Sequence, residues 1–386
     1  MRKVAIVGLG QTPVREHWGN NLRDLAVTAL RDAMEDAGIE TLDGVCVGNM
    51  LSGALSEQEH LGSLIVDYAG LDGVEGMKIE AACGSGAAAI RMAVKAVASG
   101  LMDKVGVVGV EKLTELSGNF STTALATAAD ADYESSMGLN FVGINAMLMC
   151  RYLYEYKCDK NDFSIFPVNA HQNAVHNSNA MFRHTITHEQ YAESKMIAYP
   201  INLLDSSPIA DGAASVIVVA HEDIDQYSGK PVSILACEVG TDTIAVDNRE
   251  DPLWLKGVER SVKKAYHVSG LSPRDIDFFE VHDAFSIMTA LSLEASGFTE
   301  KGKAIEFAQK TGIDIQGGLP LSTCGGLKGR GHPVGASGVY QVIEAAQQLR
   351  GTISEKIQVP RNKIAMAQSI GGSGATVITT ILKKIA

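Results

Sequence analysis

The chain has 386 residues, of which 46% are hydrophobic and 20% charged, and its formal net charge is −12. That length exceeds one ordinary core, so two or three packed units are expected, and the composition excludes a disordered chain. The acidic balance, with no Lys/Arg run, excludes a general nucleic-acid binder but leaves room for an anionic small ligand.

Lys3–Gly8 reads as a buried strand. Gly8-Leu9-Gly10 does not make a dinucleotide-binding turn, because the next glycine is missing and Pro13 interrupts it. Leu22–Ala37 has the spacing of an amphipathic helix, and Gly44–Gly48 of a short strand. A strand over Lys78–Ala82 leads into Cys83-Gly-Ser-Gly86 and a helix-forming run from Ala87 to Ala98. Cys83 is thus placed at a helix N-terminus, where partial positive charge favours the thiolate. Taken alone, it reads equally well as a small packed cysteine.

Lys104–Val110 is a continuous apolar strand. From about 111 to 200 polar and small residues mix with helical pieces, as in an inserted, mostly helical region carrying substrate contacts. Ser206–Ala220 returns through a turn to a buried strand. A second series follows: strands at Pro231–Val239, Phe278–Val281, Lys363–Met366 and Ala375–Leu382, with helices at Leu253–Ser269, Ala284–Ser296 and Gly335–Leu349. The halves 1–222 and 223–386 read as a duplication. Each has a strand, a glycine-rich turn with a reactive residue, and an Ala-rich helix, with Cys83 in one and His332 in the other. Alternating strands and helices predict mostly parallel pairing.

None of the six cysteines forms a C-x-x-C pair, and no histidine stands at zinc-ligand spacing from them. No disulfide framework and no metal are expected. The N-terminal apolar run is too short for a signal peptide, and no stretch is long enough to span a membrane. A cytoplasmic protein is expected.

Three further segments carry chemistry: Glu280-Val-His282-Asp283-Ala-Phe285, Cys324-Gly-Gly-Leu-Lys-Gly-Arg-Gly-His332-Pro-Val-Gly-Ala-Ser-Gly338, and Ser369-Ile-Gly371-Gly372-Ser-Gly374. Each alone has an ordinary structural reading. Together with Cys83 they supply a helix-end thiol, two strand-end histidines and a diglycine turn, the parts needed for acyl-thioester chemistry.

On these motifs the chain resembles the thiolases over nearly its full length. Ala-Ala-Cys83-Gly-Ser-Gly is similar to their nucleophile motif, and Gly-His332-Pro to their most specific one. His282-Asp-Ala-Phe stands where many have Asn-Glu-Ala-Phe, and resembles the sterol-carrier-like branch that includes archaeal acetoacetyl-CoA thiolases. The resemblance implies duplicated α/β halves in α-β-α-β-α layers, with the inserted region on top. It implies that His332 deprotonates Cys83, which is then acylated by acyl-CoA. Backbone N–H groups of Cys83 and Gly371 would form one oxyanion hole, and His332, with a water or His282, would hold the second thioester oxygen. Ser207 stands in the segment that touches pantetheine. Ser369 occupies the position of the usual second acid/base cysteine, so another group must move the α-proton; Cys324 is preferred, with His282 as the alternative. Arg151, Arg183, His184 and Lys195 could meet the phosphates of coenzyme A.

The implied activity is reversible condensation of two acetyl-CoA to acetoacetyl-CoA and CoA, with CoA thioesters as substrates and no separate cofactor. The implied partners are a second copy or three more of this chain, and hydroxymethylglutaryl-CoA synthase bridged by a small zinc-ribbon/OB scaffold protein, at the start of mevalonate synthesis. A degradative 3-ketoacyl-CoA thiolase and a non-catalytic acyl-CoA-binding protein are the alternatives.

Overall fold

The computed structural model describes residues 2–385. In chain order it runs β1 (Val4–Gln11), α1 (Leu22–Ala37), β2 (Gly44–Gly48), α2 (Ser52–Leu55), α3 (Leu61–Ala69), β3 (Glu75–Ile79), α4 (Ser85–Ser99) and β4 (Lys104–Glu111). The chain then leaves the sheet for α5 (Gly118–Ala126), α6 (Phe141–Tyr156), α7 (Ile165–Ala174), α8 (His188–Ala192) and a small hairpin of β5 (Met196–Ala198) and β6 (Ile201–Asn202). It continues through β7 (Gly212–Ala220), β8 (Val232–Thr241), α9 (Lys256–Ser269), β9 (Phe278–Glu280), α10 (Ser286–Ala295) and α11 (Ala304–Thr311). It ends in α12 (Val334–Arg350), β10 (Ile364–Gly371) and β11 (Thr376–Lys384).

Local signals set several of these bounds. Asn21 and Asp24 form a reciprocal capping box at the start of α1, and Gly38 closes it in the left-handed conformation. The strand expected over Lys78–Ala82 ends earlier, at Ile79. The Ser85 hydroxyl accepts from the Ala81 N–H and donates to the Ala82 carbonyl, and Ala82 takes a φ of 51°, so the chain is already turning there.

Nine strands form one sheet in the order β3-β2-β4-β7-β1-β8-β11-β10-β9. Only β2·β3, β2·β4 and β9·β10 are parallel; the other five pairings are antiparallel. The expectation of mostly parallel pairing is therefore corrected. The reason lies in the connections: β10 and β11 are joined by the tight turn after Gly371, which can link only antiparallel neighbours, and β7 returns from the long excursion. The two halves nevertheless repeat. The order β1-β7-β4-β2, with pairings antiparallel, antiparallel, parallel, recurs as β8-β11-β10-β9. Within the sheet the halves join along a short seam, where Val4–Ile6 pairs with Val232–Ile234.

The sheet folds around α4 and α12, which pack on each other, while α1 and α3 cover one half from outside and α9 covers the other. In α12 only Gln347 and Arg350 escape burial, as expected of a helix covered on all sides. Glycine permits the close approach: a Cβ on Gly86 of α4 would stand 2.6 Å from the Gly335 carbonyl of α12. The N-termini of these two inner helices therefore share one end of the molecule, beside the C-terminal ends of β4, β9 and β10.

Candidate active site

Cys83 sits in the turn that opens α4 and is 9% exposed. His332 immediately precedes Pro333 and α12; His282 follows β9. The two imidazoles meet edge-on, with ring centroids 5.2 Å apart. Cys83, His282, His332, Ser207 and Gly372 all line one cavity of about 200 Å³. Its wall is mostly apolar, with Leu125 from α5, Phe141 and Val142 from α6, and Phe285 and Met288 around the start of α10.

His332 Nδ1 lies 2.7 Å from Ser337 Oγ, and that hydroxyl donates to the Pro333 carbonyl at 3.2 Å. With the hydroxyl hydrogen directed to Pro333, Nδ1 carries the proton and donates, which leaves Nε2 as an acceptor. This tautomer suits His332 as a base; it can donate to a thioester oxygen only once protonated. Burial pushes His282 down to about 3, helped by the charge of Arg330. Burial, then His282 and Arg330, likewise hold His332 well below the usual imidazole range. Arg330 is itself fully buried, 2.7 Å from Glu344 and over the Tyr340 ring. Both histidines are thus neutral and ready to accept protons.

The thiol departs from expectation. Burial, followed by the negative charge of Glu111, pushes Cys83 up to about 12. Burial dominates, so the resting group is a thiol and needs a base. The donor facing its sulfur is the N–H of Gly372, together with that of Cys83 itself. A Cβ on Gly371 would lie 2.3 Å from the Ala81 carbonyl, so its bareness lets β10 reach the nucleophile turn.

Three other expected residues stand outside the cavity. Cys324 is buried in the core beside Thr323, Glu280 and Glu344, and its thiol is pushed far up by burial. Of Cys324 and His282, the two candidates for moving the α-proton, only His282 lines the cavity. Its Nδ1 is buried without a partner. Ser369 lies behind Cys83 and donates to its carbonyl at 3.3 Å, so it supports the turn and does not reach substrate space. Arg183 is exposed on the inserted region and is not part of the cavity wall. Neither are Arg151, His184 and Lys195; Arg151 pairs with Glu155. The apolar wall from α5 and α6 was missed as individual residues. Its only signal in the sequence was that the excursion leaves from the end of β4.

Fold and site together define an acyl-thioester enzyme built from two matched halves. The chain belongs to the thiolase family and is an acyltransferase: residues 4–222 match the model for the thiolase N-terminal domain, and residues 239–384 the thiolase C-terminal domain-like model. It is 40% identical to an acetyl-CoA acetyltransferase of Methanothermobacter thermautotrophicus, over the whole of both chains. It is 39% identical to one of Methanocaldococcus jannaschii, over 99% of each. Human sterol carrier protein 2 is 28% identical over 98% of this chain and 72% of its own. Among solved structures, the Ltp2-ChsH2(DUF35) aldolase superposes with a TM-score of 0.84 at 24% identity, over 99% of this chain and 98% of that one. The acetyl-CoA acetyltransferase of Syntrophomonas wolfei gives 0.76 at 16%, over the whole of both. Among the described residues no helix is long and apolar enough to cross a membrane.

Proposed function

We propose that the chain condenses two acetyl-CoA to acetoacetyl-CoA and CoA, reversibly, through an acyl-Cys83. The observation that carries this is the shared cavity of Cys83, His282 and His332, with the archaeal acetyltransferases as full-length relatives. His332 Nε2 takes the Cys83 proton, and the sulfur attacks the thioester carbonyl. The N–H groups of Cys83 and Gly371 hold the oxyanion, each such donor contributing about 3 kcal/mol. His332 returns its proton to the departing CoA sulfur. His282 then takes the α-proton of a second acetyl-CoA, and the enolate carbon attacks acyl-Cys83. The expelled Cys83 sulfur recovers a proton from the His282 imidazolium, so protons balance over the cycle.

Intact-mass analysis after incubation with acetyl-CoA tests this. The parent gains one acetyl group and Cys83→Ala gains none; an unlabelled parent, or a labelled Cys83→Ala, refutes the reading. The apolar wall supports a second reading, cleavage of longer 3-ketoacyl-CoA, because about 200 Å³ exceeds the ~150 Å³ that accepts a benzene ring. A chain-length profile of thiolysis separates the two. Condensation runs against equilibrium, so the synthetic role includes a consumer of acetoacetyl-CoA. The proposed consumer is hydroxymethylglutaryl-CoA synthase, joined through a zinc-ribbon/OB scaffold, and co-elution of the three tests it. A homodimer or homotetramer is also proposed. The exposed edge strand β3, with Met77 outward, supports it, and sedimentation tests it.

A further inference from the structure

Glu111 is the last residue of β4 and is fully buried. Its carboxylate accepts four N–H groups. Oε1 takes the Asn49 side-chain amide at 2.9 Å and the Leu51 backbone at 3.1 Å. Oε2 takes the Met50 backbone at 2.9 Å and the Gly335 backbone at 3.0 Å. Four donors match the four lone-pair directions of a carboxylate. Three of them belong to the loop after β2. The fourth belongs to the first turn of α12, three residues beyond His332.

Gly335 is gripped from both sides. A Cβ there would stand 2.5 Å from Glu111 Oε2, and its carbonyl lies 2.6 Å from where a Cβ on Gly86, three residues beyond Cys83, would stand. One carboxylate therefore ties the start of α12, in one half, to the segment against which the Cys83 turn packs in the other. We propose that Glu111 is a positioning residue that fixes the His332 imidazole relative to the Cys83 sulfur across the junction of the halves. This rests on His332 being the base for Cys83.

An electrostatic role in activating the sulfur has the wrong sign. The negative charge of Glu111 raises the Cys83 thiol, and burial pushes Glu111 itself up to about 7. A buried carboxylate is a costly way to fill space, and an apolar side chain would leave four converging N–H groups without partners. The geometry of those donors is what the residue supplies.

The test is a double-mutant cycle read by carbamidomethylation of Cys83 at pH 7, which needs no acyl substrate. In Glu111→Gln one oxygen becomes an NH₂ group, so two of the four N–H donors lose their acceptor while the shape is kept. His332→Ala is expected to slow alkylation by about tenfold or more in the parent background and by less than about threefold with Glu111→Gln. A shift of about 1 Å in reacting geometry can cost about a hundredfold. The kcat for thiolysis is accordingly expected to fall about 10- to 100-fold in Glu111→Gln, with KM within about twofold. Equal effects of His332→Ala in the two backgrounds overturn this proposal alone. No effect of His332→Ala in the parent overturns the base assignment, and the proposal with it. If Glu111→Gln does not fold, Asn49→Ala carries the cycle: it removes one donor to Glu111, and the same narrowing of the His332→Ala effect is required.

Discussion

Replacing Ser337 with alanine probes how His332 is kept ready to accept a proton. The Ser337 hydroxyl accepts from Nδ1 at 2.7 Å and donates to Pro333 at 3.2 Å, so the imidazole holds its proton away from the cavity. Without the hydroxyl, an N–H at Nδ1 would be buried with no partner, at a cost of about 1–3 kcal/mol. The proton then favours Nε2, and each 1.36 kcal/mol is a factor of ten. The accepting form of His332, and kcat with it, is expected to fall about 5- to 150-fold, while KM changes little. The assay is CoA-dependent loss of acetoacetyl-CoA, followed by the absorbance of its magnesium enolate. Alanine is the better helix former at a helical site, so the variant should fold, and thermal denaturation checks this. A folded Ser337→Ala enzyme with kcat within about twofold of the parent would refute the tautomer argument.

Further expectations concern the other groups of the site. In His332→Ala, Cys83 alkylation should climb about tenfold per pH unit from pH 7 through 10, because the thiolate fraction keeps rising until pH reaches a thiol pushed up to about 12; a plateau near pH 9 would contradict the burial argument. Isotope exchange at the α-carbon of acetyl-CoA should persist in Cys324→Ala and vanish in His282→Ala, and the opposite pattern would restore Cys324 as the acid/base. Gly371→Ala drives a methyl group toward the Ala81 carbonyl, with 2.3 Å between them. It should cost about 1–3 kcal/mol of stability, read in denaturant melts, and slow acylation of Cys83; an unchanged midpoint with full activity would argue against the close approach of β10.

Much of the local structure was legible in the sequence. Leu22–Ala37 and Gly44–Gly48 take the bounds their periodicity predicts, because helix caps and apolar spacing act over a few residues. The motif around His332 and the Cys83 turn were visible for the same reason: small residues must stand where chains cross closely. Tertiary structure alone decided the rest. Burial and the Glu111 charge hold Cys83 as a thiol; the fold turns Cys324 into the core and His282 into the cavity; and the turn after β10 brings the Gly372 N–H to the Cys83 sulfur. Strand direction also depended on how the chain returned to the sheet. Desolvation, charge and facing are set by atoms distant along the chain, so no stretch of residues specifies them by itself.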